Sequence, residues 1–169
     1  MPELRMIRNY VGIKDSHTID SYKSRDGYTA LGKALKMEPD EIIDEIKKAG
    51  LRGRGGAGFP TGVKWSFIQR DSKKPIYLCC NADESEPGSF KDREILEQDP
   101  HQMLEGIMIA CYTINSHKAY VYIRGEMPYG ASIIEGAIQE AYNEGYLGQN
   151  ILNSGFDLDI VLFRGAGAY

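Results

Sequence analysis

The chain has 169 residues, 42% hydrophobic and 26% charged, with a formal net charge of −4. That length suits one domain, or one domain with a small N-terminal extension, and can bury a core without staples. The acidic balance argues against a general nucleic-acid binder, and no apolar run approaches the roughly 18 residues of a spanning helix. The opening MPELRMIRNY lacks the apolar core of a signal peptide and the basic, acid-poor character of a transit peptide, so a cytoplasmic protein is expected. Cys79, Cys80 and Cys111 have no zinc-type spacing, so they are expected to be small buried hydrophobes and no metal site is expected.

Residues 1–27 are polar and without periodicity, which predicts an irregular extension; Tyr28 to Met37 reads as a short helix. A better-marked helix covers Asp40 to Ala49. Pro39 suits its first turn, acids flank its start, Ile42, Ile43 and Ile46 form its apolar face, and Lys47 and Lys48 precede a terminating Gly50. A glycine-dense stretch, GLRGRGGAGFPTGVKWSF at 50–67, follows directly, with a helix expected from Val63 to Gln69. Ile76 to Cys80 is a short apolar run, as expected of a strand buried on both faces. An acidic turn, NADESEPGSF, comes next, with Lys91, Asp92 and Arg93 as helix-start charges.

Asp99 as N-cap and Pro100 as first helical residue open a long helix carrying Met103, Ile107, Ala110 and Ile114 on one stripe. Residues 119–123 form a second strand, Ile133 to Ala141 an amphipathic helix closed near Gly145, and 158–163 a third strand. Alternating strands and helices predict a layered α/β domain with a short parallel sheet, right-handed crossovers and an irregular, partly helical N-terminal extension. The expected division is an extension with helices and the glycine loop over 1–62, and the α/β domain over 63–169. Each strand runs into a loop of glycine and charge, at 81–88, 124–126 and 164–167. The carboxyl ends of parallel strands are where ligands bind.

Gly53, Gly55 and Gly58 satisfy G-x-G-x-x-G, yet a helix precedes them where a Rossmann fingerprint needs a strand, and no Gly-Lys-Ser/Thr marks a Walker loop. The parts still suit an anion: permissive backbone, Arg52, Arg54 and Lys64 nearby, and a helix start just downstream. The alternative is a glycine linker, although Phe59, Trp65 and Phe67 among the glycines suit a planar ring better. Asn81, Asp83, Glu84, Ser85 and Glu86 either form a solvated turn or hydrogen-bond the hydroxyls of a ribose or ribityl chain. Lys64 is either a surface lysine or a point charge for a phosphate or a flavin edge. The three histidines have no triad-like company, and nothing requires general acid–base catalysis.

Three stretches, GLRGRGGAGFPTGVKWSF at 50–67, CNADESEPGSFKDREIL at 80–96 and GFDLDIVLFRGAGAY at 155–169, resemble the NADH- and FMN-binding flavoprotein subunit of respiratory complex I, the 51-kDa type. The resemblance runs from about Tyr28 to the last residue. It implies that Gly53, Arg54, Gly55, Gly56 and Gly58 belong to the loop that meets FMN and NADH, with Lys64 near the flavin. Asn81 and Asp83 would contact the ribityl and phosphate region, with Glu84 close by. Phe59 and Phe67 would hold the adenine, and Glu86 would contact the dinucleotide. The implied reaction is hydride transfer from NADH to FMN, then single-electron transfer to iron–sulfur clusters and on to quinone; the flavin carries the chemistry and no protein group is catalytic.

The resemblance also implies a small iron–sulfur subunit of the 24-kDa type among the partners, and a cytoplasmic place peripheral to the inner membrane, touching it only through the parent complex. In that family the chain continues beyond Gly-Ala-Gly-Ala-Tyr into Cys-Gly-Glu-Glu and later a cluster-binding domain. The sequence therefore reads as an N-terminal portion that cuts the flavin site, with the iron–sulfur cluster expected in the missing part. Related diaphorase subunits of NAD-linked hydrogenases and formate dehydrogenases are the alternative, as is a fragment that only binds nucleotide or docks to partners. Those diaphorases more often carry Gly and Asp where this chain has Ser85 and Glu86, and many begin with a thioredoxin-like domain absent from this sequence.

Overall fold

The structure, a computed structural model, describes residues 10–166. Two short helices, α1 (Ile19–Lys23) and α2 (Thr29–Ala34), precede α3 (Pro39–Lys48) and α4 (Thr61–Ser66). The sheet is built from β1 (Tyr77–Ala82), β2 (Lys118–Arg124) and β3 (Asp159–Gly165), with α5 (Lys91–Gln98), α6 (Pro100–Ile114) and α7 (Pro128–Asn143) between them. The expected layered α/β architecture with a short parallel sheet is present: order β1-β2-β3, both pairings parallel, Tyr77 opposite Lys118 and Lys118 opposite Asp159. The order of strands along the sheet is the order along the chain. Right-handed crossovers stepping twice in one direction place their helices on one face.

That geometry corrects one expectation. The apolar run at Ile76 to Cys80 predicts a first strand buried on both faces, but only the Ala119, Val121 and Ile123 side of the sheet is covered, by α6 and α7; Tyr77, Cys79 and Phe163 on the other side are exposed. An apolar run cannot distinguish a two-sided strand from a one-sided strand whose outer face is aromatic. The cysteines part company for the same reason. Cys111 is buried in α6 and its thiol pKa is pushed up to about 12 by burial; Cys80 on the covered face is pushed up to about 11; Cys79 is exposed.

The extension is more regular than its polar sequence suggests, because a buried carboxylate organises it. Glu105 of α6 accepts hydrogen bonds from the backbone N–H of Tyr28 (3.0 Å) and Leu31 (2.8 Å) and from the Tyr22 hydroxyl. Fully buried His101 takes the Tyr28 hydroxyl on Nδ1 (2.7 Å) and meets Glu140 of α7 through Nε2 (3.0 Å); Glu140 also accepts the N–H of Ile19 (2.9 Å). Burial lowers the His101 pKa, with Glu140 opposing, so the neutral ring with its proton on Nε2 fits both contacts. Burial, then Glu105, raises the Tyr22 hydroxyl. Asp99 is the N-cap of α6 and Pro100 its first residue, as expected, but the Asp99 side chain makes no cap hydrogen bond; it is buried, its pKa raised by desolvation, with the Arg25 guanidinium 3.5 Å away.

Candidate functional site

The helix α3 stops at Gly50, whose φ of +66° lets the chain turn. The loop that follows is pinched at its base: the N–H of Gly53 donates to the Phe59 carbonyl (2.9 Å), that of Thr61 to Leu51 (2.9 Å), and the Arg52 guanidinium donates to the Gly58 carbonyl (3.0 Å). Gly56 and Gly58 have φ of +114° and +61°, which favour glycine. Inside the pinch, none of the five N–H groups of residues 54–58 donates to another group among the described residues. A Cβ at Gly55, Gly56 or Gly58 would meet nothing within 4 Å, so the backbone surface is open to a ligand. Gly62 has a different task. A Cβ there would lie 2.9 Å from the Ile43 carbonyl oxygen and the Lys47 nitrogen, so its absence lets α4 press onto α3 and fixes the far end of the loop.

Beside the loop is a cavity of about 850 Å³. One wall is Gly53, Gly55, Gly58 and Phe59 with Lys64 and Trp65 of α4; the other is the outer edge of β1 from Tyr77 to Cys80. Its floor is the stripe Met103, Ile107, Ala110 and Ile114 of α6, of which Ile107, Ala110 and Ile114 are buried. The neighbouring stripe Leu104, Met108 and Cys111 is fully buried in the core. Exposed Gly106 also lines the cavity, where a Cβ would meet nothing within 4 Å. The cavity thus joins backbone donors and a lysine at one side to a largely apolar interior, the usual composition of a small-molecule site.

The acidic turn is built beyond the end of β1 and does not line this cavity. The Asn81 side-chain oxygen accepts the N–H of Asp83 (2.9 Å), and Ser85 donates to one Asp83 oxygen (2.6 Å). Glu84 is turned inward on the first turn of α5, accepting from the N–H of Asp92 (2.9 Å), the N–H of Arg93 (3.0 Å) and the Ser89 hydroxyl (3.1 Å). Burial alone would raise its pKa, but these donors outweigh burial and hold it below the usual carboxylate range. Arg124, at the end of β2, donates to the Glu84 carbonyl (3.1 Å) and pairs with Glu126 (3.2 Å), tying the first two strand ends together. Gly125 and Gly165 tie the next two, since a Cβ on Gly125 would be 2.7 Å from the Gly165 carbonyl oxygen.

Of the residues singled out from sequence, the structure brings Gly53, Gly55, Gly58, Phe59 and Lys64 to one cavity. Arg54 and Gly56 lie in the same loop but off the wall. Phe67 is 68% exposed, its ring 6.3 Å from that of Phe59, so the two rings make a tilted pair at the mouth. Asn81, Asp83 and exposed Glu86 lie past Cys79 and Cys80, at the strand end rather than opposite the loop. The sequence reasoning missed the edge of β1 and Thr61 as wall. It also missed the structural use of Glu84, for which Asp92 and Arg93 eight and nine residues on give no local spacing signal. The third strand-end loop is described only to Ala166; Gly167 lies outside the described residues.

Comparison with known proteins assigns the chain to a family. Residues 46–169 match the family model described as the Nuo51 FMN-binding domain. One subunit of the NADH-quinone oxidoreductase of Aquifex aeolicus is 60% identical over 153 residues, covering 90% of this chain and 36% of that protein. Its counterpart in the NADH-quinone oxidoreductase of Rhizobium meliloti is 54% identical over 165 residues, 97% of this chain and 39% of that one. Among solved structures, an NAD⁺-reducing [NiFe]-hydrogenase in the H2-reduced state superposes with a TM-score of 0.67 at 37% identity, over 80% of this chain and 23% of that one. The chain therefore spans under two fifths of the length of these two curated relatives.

Proposed function

The chain belongs to the family of the Nuo51 FMN-binding domain, and on that premise we propose that it is the flavin- and NADH-binding part of an NADH:quinone oxidoreductase. The observation that carries the proposal is the row of N–H groups at 54–58, without an acceptor among the described residues, beside a cavity that also holds Lys64 and Phe59. This donor set fits FMN: unpaired backbone amides and a lysine for a phosphate or an electron-rich ring edge, and an apolar interior for a planar ring. When bound, FMN supplies the chemistry of taking a hydride from NADH and releasing electrons singly to iron–sulfur clusters.

The protein's own residues bind and orient. Gly53, Gly55, Gly56 and Gly58 let the backbone approach the cofactor closely, and Arg54 and Lys64 supply positive charge. Asn81 accepts from and donates to hydroxyls of the flavin side chain and Asp83 accepts from them, Glu84 holds their turn onto α5, and Phe59, Phe67 and Glu86 contact the dinucleotide. Apolar Trp65, Ile107 and Ile114 exclude water from the cavity interior. We assign 1–62 to the extension with the glycine loop and 63–169 to the nucleotide-binding domain. Partners are further subunits of an electron-transfer complex, including a small iron–sulfur subunit. Its place is the cytoplasmic side, peripheral to the membrane; no helix among the described residues is long and apolar enough to cross one.

A diaphorase role beside a hydrogenase is the second reading, supported by the solved NAD⁺-reducing hydrogenase; 60% identity to a quinone oxidoreductase component against 37% favours the first. Titration with FMN, followed by flavin fluorescence, together with NADH-dependent ferricyanide reduction, tests the proposal. Quenching on binding and turnover with NADH are expected. A protein that takes up no FMN and reduces no ferricyanide would falsify it.

A further inference from the structure

Residues 83–90 join β1 to α5, and the bonds inside this turn are short-range: the N–H of Asp83 to the Asn81 side chain, the Ser85 hydroxyl to Asp83, and the N–H of Ser89 to the Glu86 carbonyl (3.0 Å). Such bonds shape a turn without fixing where it points. Glu84 does that, because different elements hold it at its two ends. Its carboxylate sits on the N-terminal amides of α5, where the N-cap residue Phe90 makes no side-chain bond. Its carbonyl accepts from Arg124, the last residue of β2.

Arg124 is itself firmly placed. In the ladder it stands opposite Gly165, one position past the pair of Ile123 with Ala82. Gly125 follows, packed so closely on Gly165 that a Cβ would lie 2.7 Å from its carbonyl oxygen. The guanidinium then spans two acceptors with one rigid plane: Nε donates to Glu126 (3.2 Å) and Nη1 to the Glu84 carbonyl (3.1 Å). Glu126 thereby orients the fork that holds Glu84. Asp83 lies near enough to add its charge to that of Glu126 on the guanidinium. Arg124 lines no part of the cavity beside the glycine loop.

We propose that Arg124 is a positioning residue for the cofactor: its grip on the Glu84 carbonyl sets the turn that carries Asn81 and Asp83 to the flavin side chain. The proposal rests on the reading of Asn81 and Asp83 as FMN contacts. Arg124 acts through the backbone of Asp83 and Glu84 and touches no ligand itself. Hydrogen bonds tolerate only about half an ångström in length, so a turn released at Glu84 loses affinity although Asn81 and Asp83 are still present. Lysine is no substitute. Its ammonium is a point charge on a flexible stem and fixes no plane between two acceptors.

Amide hydrogen exchange on the FMN-free protein, followed by NMR, tests the grip, and titration by flavin fluorescence tests its consequence. Arg124→Gln should speed exchange at Asp83, Asp92 and Arg93, with β2 and α6 protected as in the parent. It should weaken FMN binding about fivefold, the loss of roughly one hydrogen bond, and Arg124→Lys should recover only part of that. In an Asp83→Asn background the same substitution should cost less, since the contact it positions is already gone. Lys23→Gln, which breaks an exposed ion pair with Glu144, should match the parent in both measurements. Unchanged exchange in Arg124→Gln, full recovery by Arg124→Lys, or additive losses with Asp83→Asn overturns the positioning role, as does unfolding of both Arg124 variants. A parent that binds no FMN overturns the reading of the site and the cofactor role with it; exchange then shows separately whether Arg124 holds the turn.

Discussion

At the scale of single residues, the molecule separates groups that hold the chain from groups left open to a ligand. Glu105 is the extreme of the first kind: three donors from α1 and α2 converge on it, and Glu105→Ala would strand all three in the interior. The expected cost is about 3–5 kcal/mol, measured by urea unfolding, with Glu105→Gln milder because one acceptor survives. His101 gives a pH signature. Its pKa is lowered by burial, so the unfolded chain binds the proton that the folded chain refuses. Stability is then full above the unfolded value of about 6.5 and falls as the pH drops below it. Glu84 adds a second loss at more acid pH, because its native pKa is depressed and its unfolded value is about 4.5. Thermal unfolding between pH 8 and 3 should show both steps, with His101→Gln removing the first. Lys64 is of the second kind. Lys64→Ala should weaken FMN binding about tenfold, the loss of roughly one charge-assisted hydrogen bond, with an unchanged circular dichroism spectrum.

At the scale of elements, the glycine loop works because its two ends are fixed. The contact of α3 with α4 depends on the missing side chain of Gly62, and Gly62→Ala forces a Cβ against backbone at 2.9 Å. The expected destabilisation is about 1–3 kcal/mol, with FMN affinity falling alongside as the pinch at Gly53 and Thr61 shifts. Urea unfolding and flavin titration of the same variant check both. Gly55→Ala is the contrast: its Cβ meets open space, so stability should hold while cofactor binding drops. The helix boundaries were legible where punctuation was strong, as with Pro39, Pro100 and Gly50. They were less so at α1, where a polar stretch is made helical by the N-cap hydroxyl of Thr18 and by carboxylates far along the chain.

At the scale of the whole molecule, the extension and the sheet domain share one network of buried polar groups. Ile19, Tyr22, Tyr28 and Leu31 bond to side chains of α6 and α7 more than 70 residues away. The extension should therefore not melt alone: denaturation followed by near-ultraviolet and far-ultraviolet circular dichroism is expected to give one coincident transition. Two separated transitions would show the proposed division at 62/63 to be an energetic one as well.

Local chemistry determined much of this protein. Turn residues and apolar periodicity set the strand and helix order, and short motifs carried the family resemblance, because both depend on residues close together in the chain. Glycine density with Lys64 and aromatics marked the loop. What only the tertiary structure decided is which surfaces meet. One-way stepping of the crossovers left a sheet face bare, and the path of the glycine loop set a cavity over the Met103–Ile114 stripe, whose Ile107, Ala110 and Ile114 are also buried. Helix α5 drew Glu84 inward, and Glu105 became the anchor of the extension. None of these is written in spacing, since each depends on the path the chain takes between residues distant in sequence.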